Sequence, residues 1–149
     1  FQKSLYKGYI GFESDSQCFL YTLHYVNKIL KWPLKYFKHV ITPLPFDEIN
    51  ERKDKEILLR IKSSLSNLEI NGPNAVIAVT PDGTMLTTCD SKKLRPIVIG
   101  RTDDTVVMTS EVTGINDILP ERNSEEDIYP NERETVVVDN DLQVMRWQQ

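Results

Sequence analysis

Cysteine is scarce in this chain, with only Cys18 and Cys89 among 149 residues. Two thiols cannot build a disulfide framework, and neither has a Cys or His neighbour at zinc-ligand spacing, so no metal site is expected. A reducing cytoplasm is the default compartment for such a chain. Long apolar runs are missing as well. The longest, residues 18–34, is interrupted by His24, Asn27, Lys28 and Lys31, which suits a globular helix and not a membrane span. No cationic start leads into an apolar run, so no signal peptide is expected. Excess positive charge is also absent. Eighteen Lys and Arg face 22 Asp and Glu, a net charge of -4, which argues against nucleic acid or an anionic membrane as the main partner.

What is present fits a soluble protein. A hydrophobic fraction of 40% and a charged fraction of 27% in 149 residues allow one domain with a real core. The first residue, Phe1, is not an initiator Met, and the chain is expected to begin inside a longer gene product. Residues 1–13 read as an extended approach. A helix is predicted from about Ser14 to Lys31, with Phe19, Leu23, Val26 and Leu30 at helical spacing and Cys18 and Leu20 flanking them. Pro33 can open a second short helix as its first residue, with Tyr36, Phe37 and Val40 on one face. After the loop Thr42-Pro43-Leu44-Pro45, a long polar helix is expected from about Glu51 to Leu68, carrying Ile57, Ile61, Leu65 and Leu68.

Asn71-Gly72-Pro73 breaks the helical pattern. Strands are then predicted at 75–79 and 84–89 around the turn Pro81-Asp82-Gly83, at 97–99, and at 105–108 after Asp103-Asp104. Ser110-Glu111 looks like a helix start leading toward Leu119, residues 120–134 read as a polar, acidic surface loop, and residues 135–138 and 142–147 form a last hairpin around Asp139-Asn140-Asp141. Several of these strands are continuous apolar runs, which suggests burial on both faces. Helices can cover one face. The second is expected either to meet another sheet, supplied by a missing part of the chain or by a partner, or to be interior only in part.

The stretch Gly8-Tyr9-Ile10-Gly11-Phe12-Glu13-Ser14-Asp15-Ser16-Gln17 organises this reading. Ser14 can cap the first helix, and Gln17 can reach back to complete a capping box. Asp15 then lies in the first turn, where the positive end of the helix dipole favours a negative charge. Two roles are open to it on this pattern: an ordinary first-turn residue, or a carboxylate that binds a substrate ammonium group.

The ordered series of motifs resembles a known family. Gly8-Tyr9-Ile10-Gly11-Phe12 and Ser14-Asp15-Ser16 precede a helix, Asn71-Gly72-Pro73 precedes a strand, and Asp82-Gly83 and Leu94-Arg95-Pro96 follow. Met108-Thr109-Ser110-Glu111-Val112, Asp117-Ile118-Leu119-Pro120, Pro130-Asn131-Glu132 and Val136-Val137-Val138-Asp139 complete the series. Over roughly residues 8–139 it looks like the later half of a class II glutamine amidotransferase domain, most like that of glutamate synthase and its archaeal stand-alone subunit. The resemblance implies an α+β fold of the N-terminal-nucleophile hydrolase type, an αββα sandwich. Residues 1–149 would be an incomplete, C-terminal portion of it, with helices first and then mainly antiparallel strands. It implies an enzyme in which the thiolate of an N-terminal Cys, with its own α-amino group as base, attacks the side-chain amide of glutamine. A glutamyl thioester forms, ammonia leaves, and water releases glutamate. Asp15, with Ser14 beside it, would hold the substrate α-ammonium. Ammonia would pass to a synthase domain or subunit carrying FMN and iron–sulfur clusters, and this chain carries no cofactor motif. The partners implied are glutamine, the N-terminal half of the domain and glutamate synthase subunits.

Departures from that pattern are equally plain. Phe1 has no side-chain nucleophile, and covalent catalysis needs a thiol or hydroxyl beside a base. The family's oxyanion Asn-Gly and its carboxylate-binding Arg lie upstream of the Ser-Asp-Ser motif, so this chain contributes no catalytic residue of its own. Cys89-Asp90-Ser91-Lys92-Lys93 replaces the Asp-Arg-Asn-Gly run usual before Leu-Arg-Pro. Cys18 is expected in the core, and His24 and His39 as partly exposed or hydrogen-bonded residues. Lys92, Lys93 and Arg95 read as a solvated turn that Arg95 could brace, and Glu125, Glu126 and Asp127 as a charge run. Two rival readings stay open: a non-catalytic ligand-sensing or complex-assembly module derived from this fold, and the amidotransferase half of a phosphoribosyl-pyrophosphate amidotransferase.

Overall fold

The first described element is a helix that the apolar spacing anticipates. The structure, a computed structural model, describes residues 14–68, 70 and 72–149. The expected approach segment 1–13 and Asn71 lie outside the described residues. Helix α1 spans Asp15–His24 and continues into one π-helical turn, Tyr25–Ile29, where the Leu30 N–H donates to the Tyr25 carbonyl at 2.9 Å. Lys31 closes it in the left-handed region at φ 58°. The end therefore falls about where the sequence places it, at Lys31. Leu23 and Val26 are buried as expected, while Leu20 and Ile29 are exposed.

The chain divides after residue 71 into two units. In the first, Pro33 stands just before a 3-10 turn, Leu34–Tyr36, which runs into α2, Phe37–Ile41. The long polar helix expected from about Glu51 to Leu68 starts only at Lys55, as α4 over Lys55–Leu65 with a 3-10 turn Ser66–Leu68, and a separate short helix that was not expected, α3 over Phe46–Asn50, stands before it. The late start has a local cause. Asp54 precedes α4, but its carboxylate accepts from Arg52 Nε at 2.9 Å instead of capping the helix. Val26, Tyr36, Val40, Leu44, Ile49, Leu58, Ile61 and Leu65 form the core of this unit.

The second unit is built from strands. β1 (Ala75–Val79), β2 (Met85–Cys89), β5 (Glu134–Val138) and β6 (Val144–Gln148) form an antiparallel sheet in the order β1-β2-β5-β6. β3 (Val98–Arg101) and β4 (Val106–Thr109) form a separate two-stranded ribbon. The register places Ala75 opposite Cys89, and Thr87 opposite both Ile77 and Val136, so Ala75, Ile77, Cys89 and Val136 share one face. That face packs on Ile97 and Ile99 of the ribbon, with Val106, Met108 and Ile128 around them. The ribbon's other face, Val98 and Val107, packs on Ile115 and Leu119 of α5, which spans Val112–Ile118. Helix, ribbon and sheet therefore stack in that order.

The second sheet expected from elsewhere is thus supplied, in part, by this chain's own ribbon. Two-sided burial holds for central β5, all of whose residues are buried, and fails for β1, where Ile77 and Val79 are 42% and 60% exposed. β1 stands at the end of the strand order, and an edge strand has a neighbour on one side only. The molecule is α+β, with helices first and antiparallel strands after them. Among the described residues no helix is long and apolar enough to cross a membrane.

Gly100 lets α5 approach the ribbon. A Cβ there would stand 2.5 Å from Ile115 Cγ2 and 2.9 Å from Arg122 Cδ. Gly100→Ala should therefore overpack this layer and lower stability by about 1–3 kcal/mol, read as a fall in the urea midpoint. An unchanged midpoint would contradict this packing.

Candidate functional site

Ser14 is extended at φ -147°, ψ 159°, the conformation an N-cap requires, but its side chain makes no cap hydrogen bond. The capping role expected for its hydroxyl is thus not used. Asp15 follows as the first helical residue, and both are exposed. A negative charge in the first turn is favoured by about 0.3–1 kcal/mol. The carboxylate is open to solvent, where a small cation can reach it. One turn on, Cys18 is half-buried and not in the core. Burial raises its thiol above the ordinary value, the Asp15 charge adds to this, and a hydrogen bond with Thr22 partly offsets it. The thiol stays protonated at neutral pH, the unreactive form.

The other nominated residues fall into separate places. Cys89 is fully buried at the seam between sheet and ribbon. Asp90 holds the turn that follows. Its Oδ1 accepts from Lys92 N at 2.7 Å and Leu94 N at 3.4 Å, and its Oδ2 accepts from Asn74 N at 3.1 Å. This carboxylate, and not the exposed Arg95, braces the loop before Pro96. Lys93 takes φ 48° there, a left-handed position that favours glycine. Glu111 and not Ser110 immediately precedes α5.

Two ion pairs were not legible as such. Arg122 Nε and Nη2 donate to the two oxygens of Asp127, each at 2.7 Å, and the side chains are 2% and 1% exposed. Arg122 also donates to the Leu119 carbonyl and to Asn116 Oδ1. Asp127, expected in a solvated charge run, instead clasps the 120–128 loop against the end of α5, and Ile128 pairs with Ile99 beside it. Glu125 and Glu126 remain exposed in a 3-10 turn. In the second pair, buried Glu134 accepts from Arg146 Nε at 2.6 Å and Nη2 at 2.9 Å, and from Asn131 N at 2.7 Å. Burial pushes Glu134 up, but the guanidinium and the N–H outweigh it, and its carboxyl lies below the usual range.

His24 is exposed, whereas His39 is buried beside Tyr36, their ring centroids 6.0 Å apart. Burial lowers His39 to about 4. Arg52, Lys35 and Lys38 push the same way, and Asp54 opposes them. It is a neutral core imidazole. No group of three or more His, Cys, Asp or Glu among the described residues could hold a metal ion.

No family model matches this chain, and no solved structure matches it. It is similar to an uncharacterized protein of Archaeoglobus fulgidus, 24% identical over 110 residues. The match covers 72% of this chain but 29% of that protein, so the chain spans under a third of its relative's length.

The imidazole has a pH signature. His39 is depressed from 6.5 to about 4 in the folded state, so between those values the unfolded chain binds the extra proton. Stability is therefore full above about pH 6.5 and falls as pH drops toward 4, by up to on the order of 3 kcal/mol. His39→Leu should flatten the fall in urea midpoint between pH 6.5 and 5, above the range where carboxylates titrate. An equally steep fall in the variant would remove His39 as its source.

Proposed function

We propose that this chain is the later part of a class II glutamine amidotransferase domain, most like that of glutamate synthase. Its role is to grip the substrate's positive end. The observation that carries the reading is Asp15, an exposed carboxylate in the first turn of α1 directly behind an extended Ser14. An ammonium group there would gain a charge-assisted hydrogen bond to a carboxylate whose charge the helix end favours.

The backbone supports the motif series at several points. Gly72 and Gly83, from the Asn-Gly-Pro and Asp-Gly motifs, take φ 112° and 88°. Lys93 takes φ 48° where the family's Asp-Arg-Asn-Gly run has its Gly, and Asp90 holds the turn where that run has its Asp. The chain has changed the residues of this loop while keeping a conformation that glycine would favour. The α, β, β order in which α5, ribbon and four-stranded sheet stack supports reading the second unit as part of an αββα sandwich of the N-terminal-nucleophile type.

On this reading the nucleophile, the oxyanion donors and the carboxylate-binding Arg belong to the N-terminal half of the domain. The thiolate would attack the glutamine amide and release ammonia. Water would then free glutamate from the thioester. Asp15 and Ser14 would position the substrate, and no proton or bond changes at either. Synthase subunits with FMN and iron–sulfur clusters would take up the ammonia in the cytoplasm. Two cysteines, one in α1 and one at the sheet seam, do not fit a cluster held by this chain, since such clusters take four ligands.

The test is Asp15→Asn in the complete, Cys-led domain. The affinity for glutamine should fall about ten- to hundredfold, the loss of one charge-assisted hydrogen bond. Stability should fall by no more than the about 0.3–1 kcal/mol of the lost first-turn charge, because Asp15 is exposed. Unchanged glutamine affinity would remove the assignment and favour a non-catalytic assembly role.

A further inference from the structure

The β1–β2 turn carries Asp82-Gly83, of the aspartyl dipeptides the one most prone to spontaneous isoaspartate formation. In that reaction the Gly nitrogen attacks the Asp side-chain carboxyl carbon. A C–N bond forms, the carboxyl C–OH bond breaks, and water leaves. Water then opens the five-membered imide at either carbonyl, and opening at the main-chain carbonyl leaves the chain running through the Asp side chain. Glycine is the vulnerable neighbour because no Cβ shields its nitrogen.

The fold requires that neighbour. Gly83 sits at φ 88°, and a Cβ on it would stand 2.5 Å from Asn140 Oδ1, at the tip of the β5–β6 hairpin. The same contact restrains the reaction. Ring closure requires rotation about the Cα–C bond of Asp82, which swings its carbonyl, and approach of the Gly83 nitrogen. Asn140 Nδ2 donates to the Asp82 carbonyl at 2.6 Å, and the Gly83 N–H donates to the Thr80 carbonyl at 2.9 Å. The Asp82 carboxylate is itself bonded by the Thr80 hydroxyl. Every group that must move is tied. We propose that Asp82 is a latent isoaspartate site and that Asn140, reaching across from the second hairpin, is its guard. This inference does not rest on the glutamine reading.

Isoaspartate at residue 82 can be followed at neutral pH by isoaspartyl methyltransferase labelling and mass-spectrometric localisation. Three forms of the 149-residue chain are compared with a free peptide spanning residues 78–86. The peptide should isomerise fastest and the unmodified chain slowest. Asn140→Ala should raise the rate at residue 82 about fivefold, the factor that losing one hydrogen bond gives. Arg52→Ala, which removes the Asp54 contact outside both hairpins, should stay at the unmodified rate. The proposal is overturned if the unmodified chain isomerises as fast as the peptide, or if Asn140→Ala matches the unmodified chain. It is also overturned if Arg52→Ala accelerates as much as Asn140→Ala.

Discussion

The second unit depends on an apolar seam in which Cys89 and Val136 of the four-stranded sheet meet Ile97 and Ile99 of the ribbon. These four residues are no more than 1% exposed. Full burial of side chains of this kind contributes roughly 1.5–3 kcal/mol each. The seam decides what lies on either side. Because one ribbon face is spent on the sheet, the other is free for α5, and Gly100 lets that helix come close. The acidic loop beyond α5 must then return to the ribbon edge, where Ile128 pairs with Ile99 and the Arg122–Asp127 pair holds it. Burying that pair is worthwhile only because the fork is satisfied by both carboxylate oxygens and by further acceptors.

Polar groups are concentrated where strands must turn. Asp90 takes three backbone N–H groups, Glu134 takes Arg146 and Asn131, and Asp139 takes the N–H groups of Asp141 and Gln143. Each carboxylate does locally what a glycine-rich turn does by conformational freedom alone. That is how Lys93, Arg133 and Leu142 come to occupy positive φ without being glycine. An acidic protein with six glycines has met its turn requirements with side-chain acceptors.

Legibility followed the range of the physics. Strand positions were readable because an apolar run between turn residues is a local signal, and β1, β3, β4 and β5 lie where such runs stand. Which strands are central was not readable, since the order β1-β2-β5-β6 pairs segments some fifty residues apart, and continuous runs look alike at edge and centre. Ile77 and Val79 show the consequence. The starts of α1 and α5 and the stop at Lys31 were readable to within a residue or two, but α3 and the late start of α4 at Lys55 were not, because the Arg52–Asp54 contact before α4 follows no helical or strand period. Asp127 was misread as solvated because its partner, five residues away, follows no helical or strand period. At the candidate site, the exposed first-turn carboxylate was legible from Ser14-Asp15, whereas the chemistry around it rests on the resemblance in motif order.

The central claim is that this chain completes a glutamine-hydrolysing domain. The most direct measurement is glutamate release from glutamine by this chain joined to a Cys-led N-terminal half of such a domain, with a Cys→Ser change at the nucleophile as control. The account predicts glutamate and ammonia in equal amounts, lost with the control. A correctly folded joined domain that neither releases glutamate nor binds glutamine would contradict it.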